Sequence, residues 1–166
     1  MPDVARLSYR TIDPEADCAI VIANYRATYR ASYGDDERCD VRSYLPWLRS
    51  RVEEFPEGHV LAYLGKQCVG QLELQVPYGL CTGYVNLYFV AGRFRGQGFG
   101  RLLHEYAERY FRSWEANRVE LHVASTNTRA VGFYRHLGYH LDRIEGRLWR
   151  MVRSLDHASP VPSEGR

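Results

Sequence analysis

The segment Arg95-Gly96-Gln97-Gly98-Phe99-Gly100 constrains this chain more than any other. It follows Tyr84-Val85-Asn86-Leu87-Tyr88-Phe89-Val90, a β-rich run short enough to be one strand covered on both faces. It precedes apolar residues at 99, 102, 103, 106, 107, 110 and 114, the stripe of an amphipathic helix of about four turns. On that helix Glu105 with Arg109, and Glu108 with Arg112, are set for supporting i to i+4 pairs. Three alternating glycines cost conformational entropy that a plain strand-to-helix link does not need. At a helix start they let an anion approach the unpaired N–H groups and the positive end of the dipole, with Arg95 as a charged donor.

Which anion-binding motif this is can be narrowed by elimination. A phosphate loop of the Gly-x-x-x-x-Gly-Lys type needs a lysine, and the only one in the chain is Lys66. A dinucleotide fingerprint needs a small residue at 101 and an acid at the far end of the next strand, whereas Arg101 stands there and Glu120 lies near that strand's start.

The rest of the chain organises around this core. Leu7 to Ile12 reads as an opening strand, and Asp13-Pro14-Glu15 as a turn and helix start. Asp40 is the expected N-cap of a second helix, with Pro46 implying a kink or a late start. From His59 the period becomes extended: Val60 to Leu64, a turn at Gly65-Lys66, then Cys68 to Val76 with Gln71, Glu73 and Gln75 on its polar face. Downstream, Val119 to Ala124 is a strand, Asn127 caps a short helix ended by Gly138, and Tyr139 to Ile144 pairs with Leu148 to Val152.

The length and 45% apolar content suit one domain, read here as 1–153, with a Ser/Pro/Gly tail over 154–166 expected to be disordered. A net charge of +2 is too small to suggest nucleic-acid binding. No apolar run is long enough for a membrane span, and the N-terminus lacks a signal-peptide pattern, so a cytoplasmic location and no membrane partner are expected. Cys18, Cys39, Cys68 and Cys81 form no Cys-x-x-Cys pair and have no histidine at ligand spacing, so no metal is expected.

The loop matches the Arg/Gln-x-x-Gly-x-Gly/Ala signature, and a second stretch follows in order: Val119 to Ala124, Asn127-Thr128-Arg129-Ala130-Val131-Gly132-Phe133-Tyr134, then Leu137-Gly138-Tyr139. Together these resemble the GNAT superfamily of N-acetyltransferases over residues 84 to 144. The resemblance implies an α/β (α+β) fold with a mixed, mostly antiparallel central sheet flanked by helices. It also implies a splayed strand pair at the acyl-CoA site, formed by 85–90 and 119–124. Acetyl-CoA is the implied cosubstrate, its pyrophosphate on the backbone of Arg95, Gly96, Gln97, Gly98, Phe99, Gly100 and Arg101. An N–H near Phe89 or Val90 would face the thioester oxygen, and Asn127 would cap its helix, touch the coenzyme, or do both.

Tyr134 matches the tyrosine that protonates the leaving thiolate in such enzymes, an ordinary phenol being protonated at neutral pH. The alternative is that it packs beside Phe133. Many members carry a glutamate near the position of Asn86, which cannot act as a base. Glu73 is then the candidate, against a solvated strand face; His122 is a second, against a satisfied structural histidine, and a water chain needs neither. The implied reaction is acetyl transfer to a primary amine of a small molecule or peptide. A catalytically silent acyl-CoA-binding sensor or scaffold is the alternative, and a nucleotide-binding regulatory domain would explain the loop alone. Oligomeric state stays open, a homodimer included.

Overall fold

The computed structural model of the chain describes residues 6–155. The elements run β1 (Ser8–Thr11), α1 (Cys18–Tyr33), α2 (Val41–Glu54), β2 (His59–Leu64), β3 (Gln67–Gln75), β4 (Thr82–Val90), α3 (Phe99–Ser113), β5 (Arg118–Ala124), α4 (Thr128–His136), β6 (His140–Glu145) and β7 (Leu148–Ser154). Seven strands form one sheet in the order β1-β2-β3-β4-β5-β7-β6, antiparallel throughout except for the β4–β5 pair. This is the mixed, mostly antiparallel sheet with flanking helices anticipated above. The expected tail has only its first two residues among those described: Ser154 ends β7 opposite Arg118, and Leu155 is buried.

Alternation along β3 divides the interior. Leu72 and Leu74 point to one face, where Leu103, Ala107, Tyr110 and Phe111 of α3 join Val85, Leu121 and Met151 in the larger core. Such fully buried side chains stabilise by roughly 2–5 kcal/mol each against truncation to alanine. Gly83 lets α3 lie close, since a Cβ there would meet the Phe111 ring at 2.3 Å. The apolar stripe of α3 ends earlier than expected: Trp114 caps the helix and is 47% exposed, while His104 is buried. Glu108 pairs with Arg112 at 2.8 Å as spaced, but Glu105 pairs back to Arg101.

The opposite face is covered by α1 and α2, where Val21, Tyr44 and Leu48 pack on Ile12 and Leu61. Asp40 caps α2 by accepting from the Ser43 N–H at 3.1 Å. Pro46 therefore causes no late start. It sits in the helix's second turn, where the one bond it forfeits would have run to Arg42.

Two irregularities shape the middle of the sheet. Glu73 pairs with Leu87 and Leu74 with Val85, so Asn86 is the extra residue of a β-bulge in β4. The parallel ladder between β4 and β5 stops at Val85–Leu121, although the strands continue to Val90 and Ala124. Beyond that point they part, because β5 stays paired to β7 along its whole length. The result is a fork whose inner edge on β4 is free of strand partners.

Candidate functional site

A cavity of about 340 Å³ runs through the fork. Its walls come from both sides of the sheet: Thr28 and Ala31 of α1, Phe89 and Val90 of β4, the glycine loop, and Asn127, Ala130, Phe133 and Tyr134 around α4. Among the described residues its charged walls are Arg95, Arg101 and Arg129, with no acid. Arg95 and Arg129 face each other closely enough that burial and mutual repulsion lower the Arg95 pKa. Arg101 is paired with Glu105 at 3.3 Å, but two adjacent cations, Arg95 and Arg129, held without an acid in the lining favour an anion.

The loop's backbone explains why glycine recurs. Gly96 and Gly98 have φ of 74° and 88°, in the left-handed region, and Gly98 is the residue before the first turn of α3. The first amides of α3 have no preceding turn to bond and point out of the helix end. Gly96, Gly98, Gly100, Arg95 and Arg101 line the cavity. The side chains of Gln97 and Phe99, for which only the backbone was expected to serve, turn elsewhere: Gln97 donates to the Arg93 carbonyl at 2.8 Å, and the Phe99 ring is buried edge-on to Phe94. Phe99 can contribute only its backbone. Arg95 Nε donates to the Val90 carbonyl at 2.9 Å, tying the loop to the end of β4.

Strand alternation identifies which β4 amide faces the fork. Ala91 N–H donates to Val69 of β3, and the Phe89 carbonyl lies against Gly70 of the same strand. The backbone groups of Val90 and Tyr88 therefore point away from β3, into the fork. Of the two expected positions, Val90 presents its N–H there and Phe89 does not.

Tyr134 lies on the helix capped by Asn127, whose side chain accepts from Ala130 N–H at 3.2 Å. Asn127 also lines the cavity, so both of its expected placements occur together. The Tyr134 ring is packed by Phe133, Tyr139 and Tyr88, with centroids 5.6, 5.6 and 6.2 Å away. It is nonetheless a wall of the cavity, and burial, followed by the neighbouring Tyr139, raises its pKa well above that of an ordinary phenol. It stays protonated through the neutral range.

On the helix-covered side of the sheet, a second cavity of about 330 Å³ lies under α1 and α2. Tyr25, Tyr44 and Trp47 form its aromatic walls, Asp40 and Ser43 its edge, and Glu73, Asn86 and Leu87 its floor. Its lining adjoins that of the first cavity: Leu87 and Phe89 share one face of β4, while Tyr25 and Thr28 are one turn apart on α1.

Glu73 is not on a solvated face. It is 2% exposed, because α2 lies over the polar side of β3 and turns it inward. Its Oε1 accepts a short hydrogen bond from the Tyr44 hydroxyl and another from Gln71 Nε2 at 2.8 Å. Gln71 Nε2 also reaches the Tyr44 oxygen at 3.0 Å, and Gln71 Oε1 accepts from Asn24 at 2.9 Å. Burial pushes the carboxyl up to about 7, against the lowering effect of the Tyr44 and Gln71 donors. Beside it, the bulge residue Asn86 buries an Nδ2 with no partner. This network went unread in the sequence, where Gln71-x-Glu73-x-Gln75 looks like an ordinary polar stripe.

His122, the other candidate, accepts or donates at both ring nitrogens, to Tyr84 at 2.6 Å and Glu145 at 2.9 Å. It is a satisfied histidine that lines neither cavity. Among the described residues no group of three or more His, Cys, Asp and Glu is placed to hold a metal ion, and no helix is long and apolar enough to cross a membrane.

Known proteins share this architecture. The PaiA N-acetyltransferase from Thermoplasma acidophilum, solved with coenzyme A, superposes with a TM-score of 0.74 at 15% identity, over 90% of this chain and 99% of that one. The putative acetyltransferase YncA from Salmonella typhimurium, solved with acetyl-CoA, gives 0.65 at 18% identity over 95% and 99%. The spermidine N-acetyltransferase from Vibrio cholerae, with CoA and spermine, gives 0.69 at 18% over 89% and 95%. No curated protein matches the chain in sequence. The model of the acetyltransferase (GNAT) family matches residues 21–139, a span containing both cavities' central walls, the fork and the glycine loop. With fold, forked strands and sequence model in agreement, the chain belongs to the GNAT acetyltransferase family.

Proposed function

We propose that this chain is an acetyl-CoA-dependent N-acetyltransferase that passes the acetyl group directly to a primary amine. The observation that carries the reading is Glu73, a buried carboxyl with a pKa near neutrality, flooring a cavity that abuts the cation-walled cavity holding Tyr134. In this reading the coenzyme's phosphates rest on the loop from Arg95 to Arg101 and on Arg129, as the positive helix end and the adjacent Arg95 and Arg129 favour. Its acyl arm lies in the fork, with the thioester oxygen at the Val90 N–H.

The amine enters from the other cavity as an ammonium. Glu73 takes its proton, and the freed nitrogen attacks the thioester carbon. As the C–N bond forms and the C–S bond breaks, Tyr134 gives its proton to the departing thiolate, and the second proton lost by the nitrogen restores the tyrosine through solvent, leaving amide, free thiol and protonated Glu73. A base poised near pH 7 and an acid that stays protonated are the pair of environments this sequence of transfers requires. No covalent enzyme intermediate is needed, and the four cysteines take no part.

The silent acyl-CoA-binding reading rests on the amide at Asn86, but β3 supplies a carboxylate to the same cavity. Release of free thiol from acetyl-CoA in the presence of an amine panel separates the two. Amine-dependent release that falls with Glu73→Gln is expected; coenzyme binding without any amine-dependent release would favour the silent module.

A further inference from the structure

The acceptor's charge and shape are written in the second cavity. Among the described residues its lining has two carboxyls, Asp40 and Glu73, and no lysine or arginine. Arg42, two positions from Asp40, is not in the lining. A ligand carboxylate held next to the amine would lie beside buried Glu73 with only the neutral Asn86 Nδ2 to answer it. Burying a charge without a counter-charge, next to a like one, is strongly unfavourable. An ammonium meets the reverse conditions, since both carboxyls complement it.

The walls add a shape. Tyr25 and Tyr44 stack with centroids 4.0 Å apart and planes 9° from parallel, and Trp47 continues the series at 6.1 Å and 26° from Tyr44. Tyr44 is fixed by its bond to Glu73 and by burial, so the wall is rigid and its orientation is tied to the base. Asp40 is already engaged as the cap of α2, which makes it a long-range attractor more than a dedicated second ammonium site.

We infer that the acceptor is a primary amine with no carboxylate on the adjacent carbon and with a flat, aromatic body, an arylalkylamine. This rests on the acetyl-transfer reading above. The amine nitrogen reaches Glu73 and Asn86 at the floor, and the ring lies along Trp47 and Tyr44. Amino acids are rejected by charge, and linear diamines bind less well because they leave the aromatic wall uncovered.

The test uses the full chain with acetyl-CoA and matched acceptors: 2-phenylethylamine, phenylalanine, phenylalaninamide and putrescine. The expected kcat/KM for 2-phenylethylamine exceeds that for phenylalanine by about 100-fold or more, with phenylalaninamide recovering much of the loss because it restores neutrality. Putrescine is expected roughly tenfold or more below the aryl amine. Trp47→Leu is expected to raise KM for 2-phenylethylamine about tenfold, with kcat changed far less. Phenylalanine turned over as well as 2-phenylethylamine would overturn the charge argument, and putrescine ahead of the aryl amine would overturn the shape argument.

Calorimetric titration of the same amines into the coenzyme A complex gives a readout independent of turnover. Selective binding of 2-phenylethylamine without acetyl transfer sinks the catalytic reading and keeps the acceptor class. Turnover with no preference for the uncharged side of the pair sinks the acceptor class and keeps the catalysis.

Discussion

The two cavities that meet at β4 are built by different means. The cavity proposed to take the coenzyme draws heavily on backbone, a loop with left-handed glycines, a helix end and an unpaired strand edge, with three arginines and the Phe133 and Tyr134 rings added. The cavity proposed for the acceptor is made of side chains from four separate segments, α1, α2, β3 and β4, locked by the Tyr44–Glu73–Gln71 network. Backbone sites recognise what every acyl-CoA shares, its phosphates and its thioester. Side-chain sites can change one residue at a time, and are where a family of one fold diversifies its acceptors.

If the acceptor side holds the base, the largest effect belongs to Glu73→Gln. Turnover is expected to fall by about 10²–10⁴-fold, most steeply at low pH, while affinity for acetyl-CoA changes little. A pH–rate profile that keeps its shape and height would remove Glu73 from the chemistry. The same substitution has a signed effect on stability. A carboxyl raised to about 7 from a reference of 4.5 favours the folded state fully below the lower value, and that favour is lost as pH rises through the upper one. The loss is on the order of 3 kcal/mol. Glu73→Gln should therefore gain in melting temperature relative to the parent between pH 5 and pH 8, and melts at those two values check the sign.

Tyr134→Phe tests the coenzyme side. Its expected cost is about one to three orders of magnitude in kcat, since a thiolate is already a tolerable leaving group. The packed ring is kept, so melting temperature and coenzyme affinity should move little. An early melt would instead make the hydroxyl a structural group, and wild-type turnover under chemistry-limited conditions would assign the proton to solvent.

Gly98→Val is expected to weaken acetyl-CoA binding roughly tenfold or more without unfolding the chain. The space around Gly98 is open, so the cost comes from forcing a β-branched residue to a φ of 88° and displacing the amides of α3. Calorimetry with undiminished affinity in a folded variant would refute the placement of the phosphates. The smallest effect is that of Asn127→Ala, which removes the α4 cap: about 1 kcal/mol of stability, with a minor loss of coenzyme affinity. A change in affinity far larger than the change in stability would mean that Asn127 acts chiefly on the coenzyme.

Most of the coenzyme side was legible in the residue order, because its features are local. Whether a glycine can take a left-handed φ before α3, or Asn127 cap α4, depends on residues within a turn of each other. The strand boundaries, the helix stripe and the loop followed for the same reason. The exception was the end of the stripe, where Trp114 is left exposed.

The acceptor side was decided only in three dimensions. In the sequence, Glu73 alternates with leucines as a half-wet strand does, and alternation cannot say whether water or another element covers the polar face. The cover is α2, which starts 32 positions earlier at Val41 and brings Tyr44 onto the carboxylate. Its arrival removes the water, and that removal, not the identity of the residue, turns an ordinary glutamate into a group that titrates near pH 7. The fork has the same character: that β5 follows β7 and leaves β4 follows from which ladder is longer, a property of the whole sheet and of neither strand alone.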